Sequence, residues 1–308
     1  MITGATGSAC LLLALFVVGA PVGATYAGVN GRIAFGMSVE GGNVEIFSVL
    51  PNGHDLSQLT ELPGFNACAN YSPDGRSIAW CAGAAPGTSE IWAMKANGKA
   101  QHQVTHLDGF MTFPNYSPDG TRIAFGGNLP GDSKQAVFVI GIDGTAMIRL
   151  TDDSSNNSLP AWSPDGTRVA FISNRTGLPQ VWVMKSDGTN PVQLTTDPFP
   201  KAQLPDWSPD GTKIAFASVD ATGGPDIFVM NSDGSNPTQL TSHEAVNFAP
   251  RWSPDGTKIA FVTSRDLPPT ARTVYIMDAD GSAQHSVRPG GRQLAPSWQP
   301  LPLDGESD

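Results

Sequence analysis

Apolar residues in this chain come in short runs separated by turn residues, and no stretch keeps an apolar stripe at helical spacing, so short strands are expected throughout. One run recurs as a triplet: Ile33-Ala34-Phe35, Ile78-Ala79-Trp80, Ile123-Ala124-Phe125, Val169-Ala170-Phe171, Ile214-Ala215-Phe216 and Ile259-Ala260-Phe261. Five of the triplets follow a Ser-Pro-Asp-Gly turn, beginning at Ser72, Ser117, Ser163, Ser208 and Ser253 and spaced by 45 or 46 residues. An aromatic residue precedes each turn: Tyr71, Tyr116, Trp162, Trp207 or Trp252. A second apolar run follows each triplet, such as Val181 to Met184 or Ile227 to Met230, and ends in Asn-Gly or Asp-Gly, the strongest short hairpin signal. A fourth short strand then closes on Leu-Thr, as at Leu59-Thr60 and Leu240-Thr241.

Each unit is therefore a four-stranded antiparallel meander of the length of one propeller blade, and a blade buries its faces only against neighbouring blades. The expected fold is all-β, a six-bladed propeller over residues 28–300, with 301–308 as a tail. Closure is written at the ends. Pro296-Ser297-Trp298 repeats the aromatic strand but no triplet follows it, whereas Ile33-Ala34-Phe35 has no aromatic strand before it. The C-terminal strand around Trp298 is expected to complete the blade begun by residues 31–60, leaving no open sheet edge.

The repeat Pro-x-Trp-Ser-Pro-Asp-Gly-x-x-Ile-Ala-Phe, followed by Ile-x-Val-Met and Asp-Gly, resembles that of the TolB-type propellers, relatives of the WD-repeat proteins. The resemblance covers roughly residues 28–300. It implies a binding scaffold. It also touches the propellers fused to prolyl-oligopeptidase-type hydrolases and the oligogalacturonate lyases, so a carbohydrate-active propeller, lyase-like or glycan-binding, is the alternative reading. A stand-alone propeller is expected, without the α/β domain that precedes the propeller in TolB.

Charge narrows the partners. The formal net charge is −10 with no Lys/Arg cluster, which argues against nucleic acid and against an anionic membrane surface. Residues 11–20 form an apolar run followed by small residues, Val22-Gly23-Ala24 and Thr25-Tyr26-Ala27, which suit signal-peptidase cleavage after Ala24 or Ala27. Residues 1–27 are thus expected to be a signal peptide and the mature chain periplasmic or secreted, without a membrane span and monomeric. A first buried strand is the competing reading of the same run.

With the aromatic strand innermost, strand direction puts the Ser-Pro-Asp-Gly and Asp-Gly turns on a lower face and both variable loop classes on an upper face. Asp74, Asp119, Asp165, Asp210 and Asp255 belong to the invariant turns and read as structural. The upper loops carry Phe65, Phe110, Phe113, Arg175, Phe199, Phe248 and Arg265, expected to form a protein-binding surface unless the rings pack inward over the blades. The residues just before the aromatics include Asn70, Asn115, Asp206 and Arg251, a polar row near the axis that is either a pocket or a hydrated channel with an internal ion pair.

Catalytic chemistry finds no foothold in the sequence. There is no Gly-x-Ser-x-Gly elbow, no His-Glu-x-x-His pair and no phosphate-binding glycine loop. The five histidines are spread over four blades, so no metal site and no catalytic residue is assigned. Calcium is the one cofactor with a candidate ligand set, the carboxylates Asp152, Asp153 and Asp206. Cys68 and Cys81 sit on the two strands of one hairpin and are expected to face each other directly as a disulfide, permitted by export.

Overall fold

The structure is a computed structural model that describes residues 28–84, 87–152, 154–196, 201–219, 224–242, 245–265, 272–287 and 292–302. Within them the chain forms 24 strands and no helix. The strands group into six antiparallel blades of four. Blades 3 to 6 are separate sheets, while blades 1 and 2 join into one sheet through a single parallel pair, Val44 beside Phe65. The innermost strands are Gln293–Leu301 in blade 1, Phe65–Tyr71, Phe110–Tyr116, Asn157–Trp162 and Gln203–Trp207 in blades 2 to 5, and Asn247–Trp252 in blade 6.

The repeated sequence explains the stacking. Every triplet lies on a second strand, and all six triplets are fully buried. They are apolar at successive positions, with no in-out alternation, because a blade is covered on both faces by its neighbours. One cluster shows this directly: Ala124, Val137 and Val139 of blade 3 pack against Trp162, Val169 and Phe171 of blade 4.

Turns tie the blades at both radii of the lower face. In each Ser-Pro-Asp-Gly turn the Ser hydroxyl donates to the Asp carboxylate, as from Ser117 to Asp119 at 2.6 Å, and that carboxylate accepts the N–H two residues on, from Thr121 at 3.0 Å. Burial alone would raise Asp119, but the bonds from Ser117 and Thr121 outweigh it and hold the carboxyl low. The turn glycine then abuts the preceding blade's turn proline, as Gly166 does Pro118 and Gly211 does Pro164. At the rim, the hairpin glycines Gly98, Gly188 and Gly234 have φ of 83–89°, and a Cβ on any of them would run into the carbonyl of Leu59, Leu150 or Leu194 on the blade before.

The ring closes where the sequence predicts. Ile33 pairs with Trp298 and Ala34 with Ser297, and pairing runs out to Val29 opposite Leu301, one residue into the expected tail. Blade 1 has chain ends in place of a Ser-Pro-Asp-Gly turn, and residues 28–30 take over its contacts: the Gly28 N–H donates to the Pro254 carbonyl and Asn30 Nδ2 to Asp255. Ile33, Phe35 and Trp298 share one core with Ala260, Val262 and Val274 of blade 6. The fourth strands are short as expected, two residues each, but in blades 1, 3, 4 and 5 Leu-Thr follows the strand instead of closing it. The expected signal, residues 1–27, lies outside the described residues.

Trp298 is 4% exposed at the seam where the chain ends meet. Trp298→Ala should cost about 3–5 kcal/mol of unfolding free energy, as large-to-small core changes do. Urea denaturation of both proteins measures it.

Candidate functional site

Each inner strand enters from the upper face and descends to its aromatic residue. Three residues before that aromatic the backbone is left-handed in all six blades, at Cys68, Phe113, Leu159, Leu204, Ala249 and Ala295, with φ between 40° and 60°. In all six blades the same place carries a break in register with the second strand, for example between Thr112 and Asn115, between Phe248 and Arg251 or between Leu294 and Ser297. A bulge of this kind leaves one residue unpaired and re-aims its side chain. In five blades the next residue is proline (Pro114, Pro160, Pro205, Pro250 and Pro296), which has no N–H to lose from the ladder.

The re-aimed side chains form an apolar collar around the axis. Cys68, Phe113, Leu204, Ala249 and Ala295 line one cavity of 270 Å³, and Leu159 packs into the same cluster as Leu204 and Ala249. Phe65, Phe248, Leu294 and Arg292 complete the cavity wall above the collar, and Phe65 carries it to the surface with 44% of its area exposed. The axial mouth is thus an apolar funnel closed below.

Beneath the collar, Asn70, Asn115, Asp206, Arg251 and Ser297 line a second cavity of only 30 Å³, room for about one water. Their side chains are committed to the seams between blades. Asn70 Oδ1 accepts the Tyr116 N–H at 3.0 Å, Asn115 Oδ1 that of Trp162 at 2.8 Å, Asp206 Oδ2 that of Trp252 at 2.7 Å, and Ser297 Oγ that of Tyr71 at 3.1 Å. Ala161 and Arg251 offer no acceptor at this position. There the indole N–H of the next blade's tryptophan, Trp207 or Trp298, donates to their backbone carbonyl instead, at 3.2 Å. Every one of the six seams therefore carries one bond at this level. Arg251 also lies 3.7 Å from Asp206, as an ion pair.

Comparison with known proteins accords with this architecture. The TolB beta propeller domain family matches residues 86–203 and 199–305. The chain belongs to the TolB β-propeller family. No curated protein matches its sequence. Among solved structures it resembles TolB from Acinetobacter baumannii, with a TM-score of 0.72, 20% identity and coverage of 88% of this chain and 67% of that one. A putative TolB from Agrobacterium tumefaciens gives 0.67 at 22% identity over 88% and 99%. An oligogalacturonate lyase in complex with manganese gives 0.58 at 16% over 83% and 73%. These likenesses concern the fold.

On this TolB-type scaffold the expected surface residues separate. Phe65, Phe110, Phe113 and Phe248 stand on the upper parts of inner strands and not on loops, because those strands run up to the mouth. Phe65, Phe113 and Phe248 meet at the funnel; Phe110 lies outside it, half-buried beside Ser89. Arg175 and Arg265 are spent inside their blades: Arg175 stacks on Phe171 and Trp182 and bonds Asn157, and Arg265 stacks on Phe261 and Tyr275. Phe199 and Asp153 lie outside the described residues. Asp152 accepts bonds from Ser154, which hold its carboxyl low, and it stands far in sequence and in role from the axial Asp206.

The polar residues near the start of the third strands are structural as well. In four blades the Thr just past the fourth strand accepts a third-strand N–H and donates to a polar residue near that strand's start: Glu45 from Thr60, Glu90 from Thr105, Gln180 from Thr195 and Asp226 from Thr241. The recurring Thr could have signalled this, since it lies 15 residues after the polar residue in each of the four blades.

Cys81 pairs with Ala67, not with Cys68, because the bulge shifts the register by one residue. The bulge still turns the Cys68 side chain inward, so the two sulfurs lie 2.7 Å apart, buried.

Burial pushes the Asp206 carboxyl up to about 6, against the opposing pull of Arg251 and the Trp252 N–H. Folded Asp206 thus holds its proton more tightly than the unfolded chain does. Its contribution to stability is full below the unfolded value near 4 and is lost as pH rises through 6. Relative to Asp206→Asn, the wild type should lose on the order of 3 kcal/mol between pH 4 and pH 7. Denaturant titrations across that range measure the difference, and a flat line would contradict the assignment.

Proposed function

We propose that this TolB-type propeller is an exported protein-binding platform whose partner engages the upper axial mouth. One observation carries the reading. Phe65, Phe113, Leu204, Phe248 and Leu294 come from five different blades and converge on one apolar opening. Concave apolar surface presented by a rigid scaffold, with Phe65 left 44% exposed, is the composition that protein interfaces bury. The lower face is built from short repeated turns, and its cavity of 600 Å³ is walled by the turns of blades 5 and 6 and not by side chains converging from around the ring.

Export fits the two buried cysteines, whose sulfurs need only a small approach to close a disulfide in an oxidising compartment. The cleavage sites after Ala24 and Ala27 leave the propeller strands whole, since the first begins at Val29. The carbohydrate-active alternative gains from the likeness to a manganese-bound lyase only what the fold supplies. Among the described residues no three His, Cys, Asp or Glu side chains gather as metal ligands.

In capture from envelope extract, wild type and a lower-face control, Lys213→Ala, should retain the same protein. Phe65→Ala combined with Phe248→Ala should release it. Retention by the double variant, or elution by free glycan, would defeat the platform reading. Export has its own check: the mature protein should begin at Thr25 or Gly28, and its unreduced mass should fall short of the reduced mass by two hydrogens.

A further inference from the structure

The charge at the mouth runs against that of the chain. In a protein of net charge −10, the charged residue in the funnel wall is Arg292. It pairs in parallel with Arg272 across the seam between blades 6 and 1. Arg272 stacks 4.7 Å over Phe248, a funnel residue, and no described carboxylate is bonded to either guanidinium. Burial and the neighbouring charge of Arg292 both lower the affinity of Arg272 for its proton. Two cations held side by side over an apolar pocket, with no carboxylate partner among the described residues, are complementary to an anion that arrives attached to an apolar group.

The shape of the cleft favours a chain over a compact molecule. A shallow groove of 270 Å³ leads away from the funnel between blades 1 and 2 and shares Phe65 with it. Gly42, Gly64 and Gly83 line it beside Asn43, Val44 and Ala84, so much of its wall is backbone or small side chains. The funnel itself ends blindly at the collar and admits one side chain.

We propose that the mouth recognises the C-terminus of a partner polypeptide: an apolar last side chain fills the funnel, its free carboxylate meets Arg292 and Arg272, and the preceding residues leave past Phe65 along the glycine-lined groove. This rests on the platform reading and specifies what the platform grips. Guanidinium–carboxylate bonds are the strong, charge-assisted kind, and capture of a terminal carboxylate is an economical way to read a chain end.

The probe is a labelled hexapeptide of glycine and serine ending in phenylalanine, made as the free acid and as the amide, with binding followed by fluorescence anisotropy at low salt. The acid should bind at least tenfold more tightly than the amide. Arg292→Ala should erase that ratio while leaving the amide unchanged. Ala249→Leu with Ala295→Leu should abolish binding of both peptides; leucine already occupies this left-handed position at Leu159 and Leu204, so the pair fills the funnel without a new backbone demand. Equal binding of acid and amide, an acid–amide ratio unaffected by Arg292→Ala, or no binding of the acid would overturn the proposal. So would 3-phenylpropionate binding as tightly as the peptide, which would mark a small-molecule pocket. If the envelope partner is captured yet acid and amide do not differ, terminus recognition fails and the platform stands. If the peptides discriminate but no partner depends on Phe65 and Phe248, the platform reading fails.

Discussion

Everything in this fold depends on the antiparallel pairing of the first strand, Val29–Ser38, with the last, Gln293–Leu301. Every other blade is made from one continuous stretch of chain, so its strands find each other locally. Blade 1 alone must recruit a strand from the opposite end of the sequence. Without that strand the apolar faces of blades 6 and 2 would both be open to water at the axis, and the seam bonds from Trp298 to Arg251 and from Tyr71 to Ser297 would be lost together. The cost of joining distant chain ends grows only slowly with loop length, whereas the area buried at two seams is large, so closure wins.

That closure is what makes the axis a usable site. Six inner strands held at fixed distance can sustain six left-handed residues, a conformation that costs a non-glycine residue about 1–2 kcal/mol. Such a ring persists only where the surroundings over-determine it. Here they do, through the seam bonds below and packing between neighbouring blades above. The result is a graded axis: apolar and open at the top, closed by the collar, polar and nearly filled beneath.

Much of this was legible in the residues. Blade number, strand order, the closing strand and the structural role of the turn aspartates all follow from repetition, because a repeat repeats its contacts. The polar row of Asn70, Asn115, Asp206 and Arg251 was legible as a row but not in what it does, since each of its acceptors serves an N–H one blade away. The collar was harder to see. Strict alternation places Phe113 and Leu204 without saying that the backbone reverses hand there, and the one written sign is the proline that follows. The cysteines show the consequence: regular pairing sets Cys68 opposite Cys81, while the bulge pairs Cys81 with Ala67 and brings the sulfurs together by another route.

The same logic explains why Arg175 and Arg265 differ from Arg292, although all three lie toward the upper face. Arg175 and Arg265 each follow a second strand and fold back onto aromatic rings of their own blade, with Asn157 or Asn247 within bonding reach. Their charge is dispersed over π faces and amides in a site that blades 4 and 6 share. Arg292 stands at the one place where the repeat is broken, the entry of the strand that closes the ring, and meets a second arginine where the other cations meet rings or amides. A repeat scaffold makes most of its surface alike; discrimination is left to the positions where its periodicity fails, and here that position opens onto the axial funnel.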